Sequence, residues 1–486
     1  MGLSKSRVIA HLQCPQRLWL QTYHPELAEV DGGSQMRMNV GTTVGEIART
    51  LFPDGHLVET NDLRIALAET ASLLQSPSGP IFEATLQAAG TLVRVDILLP
   101  QAHGYHLIEV KSATHIKPYY AQDTAIQTWI SREAGVPVLQ SSIATINNQF
   151  VYPGNSNYQE LFTIESVDAL IAPLLPEVPQ WISAAQATLA GGEPDIVPGN
   201  QCETPFSCPF IGYCEKDLPN PPEYPVALLP HGSTTAAILS AEGYEDLRQV
   251  PKNRLSHPLY QRIRQASMDN KAFLGPEAAE ILQALPYPRF YIDFETINPA
   301  IPIWANSRPY QQIPFQWSCH REDADGSITH DAYLADGQDD PRPHFLSTLL
   351  LALRDTGPIL VYNAGFENAR LRELAEQLPQ QSQAVQSVLA RVVDLLPIAR
   401  AYYYHPAMKG SWSIKAVLPT IAPELAYDDL EVANGGMAQE AFMEMLSPDA
   451  DPLRREEVRA ALLTYCERDT LAMIHIARHF KGEAHG

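Results

Sequence analysis

Two kinds of residue in this chain are typed and spaced for chemistry: a set of cysteines and two separate sets of carboxylates. Cys202, Cys208 and Cys214 recur at an even six-residue step in QCETPFSCPFIGYCEK, with Pro, Phe and Gly between them. Thiolates so interleaved suit a loop wrapped around a metal or an iron–sulfur cluster better than a helix or strand interior. Three ligands are one short of a full set. Cys14, in HLQCPQRLWL, is the candidate fourth, because Cys319 and Cys466 each sit inside a run that reads as packed structure. The rival readings are a structural zinc site, two disulfides, and unrelated buried thiols. Disulfides need an oxidising compartment, whereas the chain shows no secretory signal. Zinc sites favour tight C-x₂-C pairs, and the five-residue gaps here favour a cluster.

The first set of carboxylates lies in IFEATLQAAGTLVRVDILLPQAHGYHLIEVKSAT, which reads as three strands joined by short turns. Glu83 falls on the first strand, Asp96 on the second, and Glu109 and Lys111 on the third. Residues i and i+2 of a strand project from one face, so Glu109 and Lys111 share a site while Val110 packs behind them. A hairpin closing near His103 puts Asp96 opposite Glu109. Converging carboxylates make a hard-oxygen site suited to Mg²⁺ or Mn²⁺, with Glu83 a further candidate ligand, and a lysine beside them would orient water or stabilise charge on a phosphate. The bland reading of the same motif is a surface hairpin with a cross-strand salt bridge.

The second set is spread over some 180 positions, so only the fold can gather it. Asp293 and Glu295 share a strand face in RFYIDFET. Glu367 opens a helix in ILVYNAGFENARL, after Asn363 on the turn. Tyr465 and Asp469 stand four apart on one face of the helix ALLTYCERDTLAMIHIARHF. Taken singly, each acid has a bland role, Glu367 as a helix N-terminal charge and Asp469 as an exposed helix-pair partner.

The elements that must position these groups divide the 486 residues into an α/β chain of two domains. Helices are expected over 41–52 and Asp62–Leu74, ahead of the three strands. The proline-rich LPNPPEYPVALLP ends the first domain at 217, and a helical connector covers 218–285, leaving 286–486 as the second domain. Arg254, Arg262, Arg264 and Lys271 in the connector are candidates to touch a phosphate backbone, or simply line a solvated face. Tyr402, Tyr403, Tyr404, Trp412 and Lys415 offer aromatic and basic surface for unpaired bases, or core packing. A formal charge of −22 argues against a protein that coats nucleic acid non-specifically, though not against a local basic groove. No apolar run is long enough to span a bilayer, and the opening MGLSKS, which fits a myristoylation pattern, has no supporting membrane-docking feature nearby; the expected location is cytoplasmic.

Asp96…Glu109-Val110-Lys111 resembles the signature of the PD-(D/E)XK nucleases, and Gln127, on the helix after that strand, resembles the glutamine of their RecB-like branch. One cysteine before and three after this core are similar to the iron–sulfur subset that includes CRISPR-adaptation and AddB-type nucleases. This likeness spans roughly residues 1–216. It implies a restriction-endonuclease-like fold, metal-dependent cutting with Lys111 and Gln127 in catalytic roles, and a [4Fe–4S] cluster on Cys14, Cys202, Cys208 and Cys214. A metal-binding histidine common in these enzymes is replaced by Gly45, followed by Glu46. The order Asp-x-Glu, Asn-x-x-Phe-acid, Tyr-x-x-x-Asp resembles the tyrosine-bearing DEDD exonucleases of ribonuclease-H-like fold. That implies Asp293, Glu295, Glu367 and Asp469 holding two divalent metals and Tyr465 orienting water for release of nucleotides from a 3′ end. Glu367 departs from the usual aspartate. Together the resemblances imply a fused two-site nuclease acting on nucleic acid, DNA before RNA, with single-stranded ends the favoured substrate. The rival is a nucleic-acid-binding or scaffold protein whose metal sites are spent and whose cluster is structural or redox-sensing.

Overall fold

The computed structural model describes residues 2–29, 33–76, 78–447 and 449–483. The chain is a mixture of sheets and many helices, and its contacts divide it into two compact units. Unit one holds residues 1–218 and 299–311; unit two holds 219–298 and 312–486. The helical connector expected over 218–285 is therefore part of the second compact unit. The strand pair Phe273–Leu274 and Tyr403–Tyr404 and the bond from Gly275 N to Tyr402 O explain why. A second departure is the stretch 299–311, expected in the second domain. It packs in the first unit, where Tyr310 donates to Ser112 O at 2.5 Å and Tyr158 to Pro302 O at 3.1 Å.

In unit one, α1 (Lys5–Gln13) and α2 (Pro15–Tyr23) break at Cys14, whose extended backbone ends one helix and starts the next, with Pro15 at the first helical position. They are followed by α3 (Ser34–Thr50), α4 (Leu63–Gln75) with Asp62 as its N-cap, β1 (Ile81–Ala88), β2 (Thr91–Gln101), β3 (Gly104–Lys111), α5 (Pro118–Glu133), β4 (Val138–Ile146) and β5 (Phe162–Ser166). The sheet runs β1-β2-β3-β4-β5, with β3 and β4 parallel and α5 as their crossover; short strands at His56–Leu57 and Leu3–Ser4 pair with β1 and β2. The α5 helix is buried on most of its surface, among them Ala125, Ile126 and Ile130, because it packs on the sheet's central strands.

The pleat is interrupted at Glu83. Phe82 pairs Ile97 and Ala84 pairs Val95, but Glu83, between them, has φ +54°, the left-handed region that glutamate rarely enters. Phe82 and Ile97 consequently pack against Ala48 of α3, while Ala84 and Val95 join the core beneath α5. The β2–β3 ladder likewise runs from Gln101 opposite Gly104 to Ile97 opposite Ile108 and stops; the next pair along is Asp96 and Glu109. Backbone pairing opens on both sides of Asp96.

In unit two, β6 (Arg289–Ile297), β7 (Ile313–Glu322), β8 (Ile328–Leu334), α6 (Arg342–Leu353), β9 (Ile359–Val361), α7 (Ala364–Gln377), β10 (Val392–Asp394), α8 (Leu395–Tyr402), α9 (Gly435–Leu446) and α10 (Pro452–Phe480) carry the structure. The sheet order is β8-β7-β6-β9-β10, antiparallel from β8 to β6 and parallel from β6 to β10. Side chains stitch α10 across it: Gln316 to Leu462 O at 2.7 Å, Ser318 to Thr470 at 2.8 Å, and Arg478 to Glu322 at 2.9 Å. Tyr403, Tyr404 and Trp412 are buried in the core of this unit, which removes them as a stacking surface. The connector's arginines also have internal partners: Arg262 holds the carbonyls of Arg400 and Ala401, Arg264 that of Val250, and Arg254 the carboxylate of Glu242.

Candidate active sites

In unit one the structure brings together Asp96, Glu109, Lys111 and Gln127, and adds two residues that the sequence reading passed over, Lys5 and Asp123. Glu109 Oε1 accepts from Lys111 at 2.6 Å and Lys5 at 2.8 Å, and its Oε2 accepts from the buried Gln127 amide. Lys111 also donates to Asp123 Oδ2 at 2.6 Å, and Lys5 lies 3.2 Å from Asp123 Oδ1. Burial alone would raise the Glu109 pKa; Lys111 and Lys5 overcome it and hold the carboxylate well below its ordinary range. Asp96 Oδ2 takes the Val110 N–H at 2.7 Å, doing the work of the missing ladder acceptor. Its pKa is pushed up to about 8, first by burial and then by the Glu109 charge. Glu83 stands apart, a third exposed and 3.9 Å from Arg49. Gly45 and the exposed Glu46 lie on α3, Gly45 with open space where a Cβ would be.

Lys5 follows from its position: Ser4 caps α1 by accepting from Arg7 N, and the first turn of that helix then carries the ammonium over β2 and β3. No spacing rule links residue 5 to residue 109. Asp123 lies one helical turn before Gln127, a signal that was readable once Gln127 was placed on a helix facing the site.

As a cation site this arrangement is already satisfied. Glu109 has both oxygens engaged and two lysines supply the positive charge. Among the described residues, the three carboxylates Glu83, Asp96 and Glu109 do not gather to metal-binding distance. These residues do not fit a divalent ion as they stand.

Unit two is the opposite. Asp293, Glu295 and Asp469 each place an oxygen within 4.8 Å of the others. Neighbouring positions i and i+2 of the central strand supply the first two, and α10, fixed by its stitches, supplies the third. Glu367 is buried in the first turn of α7, and its Oε2 has no hydrogen-bond partner. The turn before it is held by Asp394, which accepts from Asn363 N and Ala364 N at 2.9 Å each while capping α8; Asn363 takes φ +81° there, a left-handed conformation that asparagine tolerates better than most residues. Burial raises the pKa of all four acids, and the other carboxylates reinforce it at Asp293 and Glu295. Glu295 and Glu367 are pushed to about 8 and Asp469 to about 6. Lys415 opposes this, lowering Glu295 and Asp469. It donates to Tyr465 Oη at 3.2 Å and to Ala433 O at 2.6 Å. Tyr427, also passed over in the sequence, donates to Asp469 Oδ1; it lies in a stretch without regular structure, and no motif marks it. Three clustered carboxylates, a fourth with an orphaned buried oxygen and one lysine fit hard divalent cations.

The four cysteines Cys14, Cys202, Cys208 and Cys214 line one small pocket with Arg17, Leu20 and Phe210. All are free thiols. Gln13 ties α1 to the loop through the carbonyls of Gln201 and Phe206, at 2.7 and 2.6 Å. Burial, then Cys208, Cys14 and Cys202, push the Cys214 thiol up to about 11. Among the described residues, no three of these sulfurs lie within 4.8 Å of one another.

Residues 290–413 match a family described as a domain of unknown function, DUF2779. Relatives include "Uncharacterized protein MG366 homolog" of Mycoplasma pneumoniae, 30% identical over 43% of this chain and 34% of its own length. "Uncharacterized protein UU173" of Ureaplasma parvum is 27% identical over 44% and 34%. The chain thus spans about a third of the length of the curated relatives it matches. Among solved structures, the family B DNA polymerase of Pyrobaculum calidifontis is similar over 39% of this chain and 24% of its own, at 18% identity and a TM-score of 0.25. A likeness at that score carries no argument. Among the described residues, no helix is long and apolar enough to cross a membrane.

Proposed function

We propose that the chain is a metal-dependent nuclease whose hydrolytic centre is the carboxylate cluster of unit two, removing nucleotides from the 3′ end of single-stranded nucleic acid, DNA before RNA. The observation that carries this is the gathering of Asp293, Glu295 and Asp469 within 4.8 Å, with the buried, unpartnered Glu367 acting electrostatically on Asp293. The central β6, antiparallel to one neighbour and parallel to the other, supports the ribonuclease-H-like reading. Two divalent cations held by these four acids would supply Lewis acidity at the scissile phosphate and lower the pKa of water there. The chain's own residues do the rest. Tyr465, held at 3.2 Å by Lys415, presents its hydroxyl beside the acids to position the attacking water, and Tyr427 fixes the Asp469 carboxylate. Lys415 lowers the mutual repulsion of Glu295 and Asp469.

A [4Fe–4S] cluster on Cys14, Cys202, Cys208 and Cys214 would have an architectural role in unit one, a reading supported by the four thiols lining one pocket. For the first carboxylate site, the two lysines on Glu109 favour the rival reading: a site that binds phosphate through Lys5 and Lys111 and does not cut. The test is digestion of 3′- and 5′-end-labelled single-stranded DNA and RNA with Mg²⁺ or Mn²⁺, comparing Asp293→Ala, Asp96→Ala and the double variant. Loss in Asp293→Ala alone supports the proposal. Full activity in Asp293→Ala, or loss only in Asp96→Ala, overturns it.

A further inference from the structure

On the same face of the unit-two sheet, outward from Asp293, a second group of ligand atoms meets. His320 on β7 and His330 on β8 are directly paired across the strands, and Glu467 reaches them from α10; one donor atom of each lies within 4.8 Å of the other two. The rings stand 4.5 Å apart, tilted by 31°.

The far nitrogens of both rings have fixed neighbours: His320 Nδ1 lies 2.7 Å from Thr470 Oγ1 and His330 Nε2 2.9 Å from Ser318 Oγ, and the two hydroxyls are 2.8 Å apart. His330 Nδ1, on the other side of its ring, faces Glu467 Oε1 at 3.7 Å. Metal-bound histidines usually show this outer arrangement, with the second ring nitrogen hydrogen-bonded to a fixed neighbour and the first turned to the ion.

We infer that His320 Nε2, His330 Nδ1 and Glu467 Oε1 form a site for a divalent transition metal, Zn²⁺ foremost, separate from the carboxylate cluster. Two imidazoles and one carboxylate select borderline metals over Mg²⁺, and three protein ligands leave a position open. The bound ion would pin β8, the sheet's outer strand, to α10. This inference does not depend on the nuclease reading.

The test uses the full chain in excess Mg²⁺, which occupies hard-oxygen sites. Zn²⁺ uptake is measured by equilibrium dialysis for the wild type, His330→Ala and Glu467→Gln, and ¹⁵N-labelled histidine side chains are followed by NMR. One equivalent of Zn²⁺ should shift His320 Nε2 and His330 Nδ1, be lost in His330→Ala, and bind at least ten-fold more weakly in Glu467→Gln. His330 and Glu467 are partly exposed, so both variants should fold. Equal zinc stoichiometry and affinity in all three proteins, or unmoved imidazole nitrogens, would overturn the site.

Discussion

The two carboxylate sites of this molecule contain similar ingredients and solve the problem of buried charge in opposite ways. In unit one, Glu109 and Asp123 meet Lys5 and Lys111 within ion-pair distance, so the negative charge is answered from inside the chain. In unit two, four acids face one lysine, and the response is raised pKa values and an orphaned Glu367 oxygen. Acids on adjacent strand positions do not by themselves make a metal site. What decides is whether cationic side chains have already taken the place of the ion.

Catalysis gives the widest separation. Asp469→Asn should lower Mg²⁺-dependent release of labelled nucleotides by on the order of 10³-fold, the several kcal/mol expected for a lost cation ligand. Lys111→Met in unit one should leave that rate within about three-fold, since uniform phosphate binding changes turnover little. A comparable collapse in both would erase the distinction between the sites.

Stability should respond with opposite signs to the same chemical change. Glu109→Gln leaves two largely buried lysines sharing Asp123 alone and should destabilise unit one by about 3 kcal/mol, read from denaturant unfolding in EDTA. Glu295→Gln removes one member of a mutually repelling set and should leave metal-free unit two unchanged or more stable by about 1 kcal/mol. Destabilisation by both would mean that unit two has cations its side chains do not supply.

How far the sequence reached follows from the same contrast. Period-two spacing located Glu109 with Lys111 and Asp293 with Glu295, because strand geometry is local, and the hairpin length placed Asp96 next to Glu109. Helix extents were readable too, the expected Asp62–Leu74 falling within a residue of α4 at each end. What local pattern lacks is the charge that arrives from elsewhere. Lys5 comes from the first helix and Tyr427 from an irregular stretch, and neither has a fixed sequence distance from the acids it meets. The Tyr403, Tyr404 and Trp412 rings stayed open between two readings for a related reason: composition suits base stacking and core packing equally, and only burial separates them. The excursion of 299–311 into unit one was invisible because nothing in its composition marks a change of partner.

A pH titration sharpens the comparison at a smaller amplitude. The raised carboxylates of unit two bind protons in the folded state that the unfolded chain has already released. Their contribution to metal-free stability should therefore be fully present below about pH 4 and fall as pH rises toward 8, where Glu295 and Glu367 ionise. In unit one Asp96, raised to about 8, contributes with the same sign, whereas Glu109, with its pKa depressed, contributes the other way, stabilising above its unfolded value and losing that contribution as pH falls. Melting temperatures in EDTA and in Mg²⁺ should thus diverge with rising pH, the Mg²⁺ curve lying higher. A gap that stays constant from pH 5 to 8 would count against cation binding by these acids.

The smallest effect belongs to Glu367→Asp, and its direction tests why a glutamate is there. The Glu367 carboxylate is pulled toward its own backbone N–H, which lowers its pKa against the larger effect of burial, while the other oxygen remains unpartnered near Asp293. Shortening the side chain keeps the charge and the backbone bond, which a shorter acid at a helix start makes readily. It withdraws the free oxygen from the cluster by one methylene. If α7 is set at a distance matched to glutamate, the rate in Mg²⁺ should fall several-fold, because Mg²⁺ demands near-ideal octahedral geometry. The loss in Mn²⁺, which tolerates looser coordination, should be smaller. A rise in rate with both metals would instead mean that the longer acid is a handicap, and that Glu367 sits in the cluster as a brake on the site.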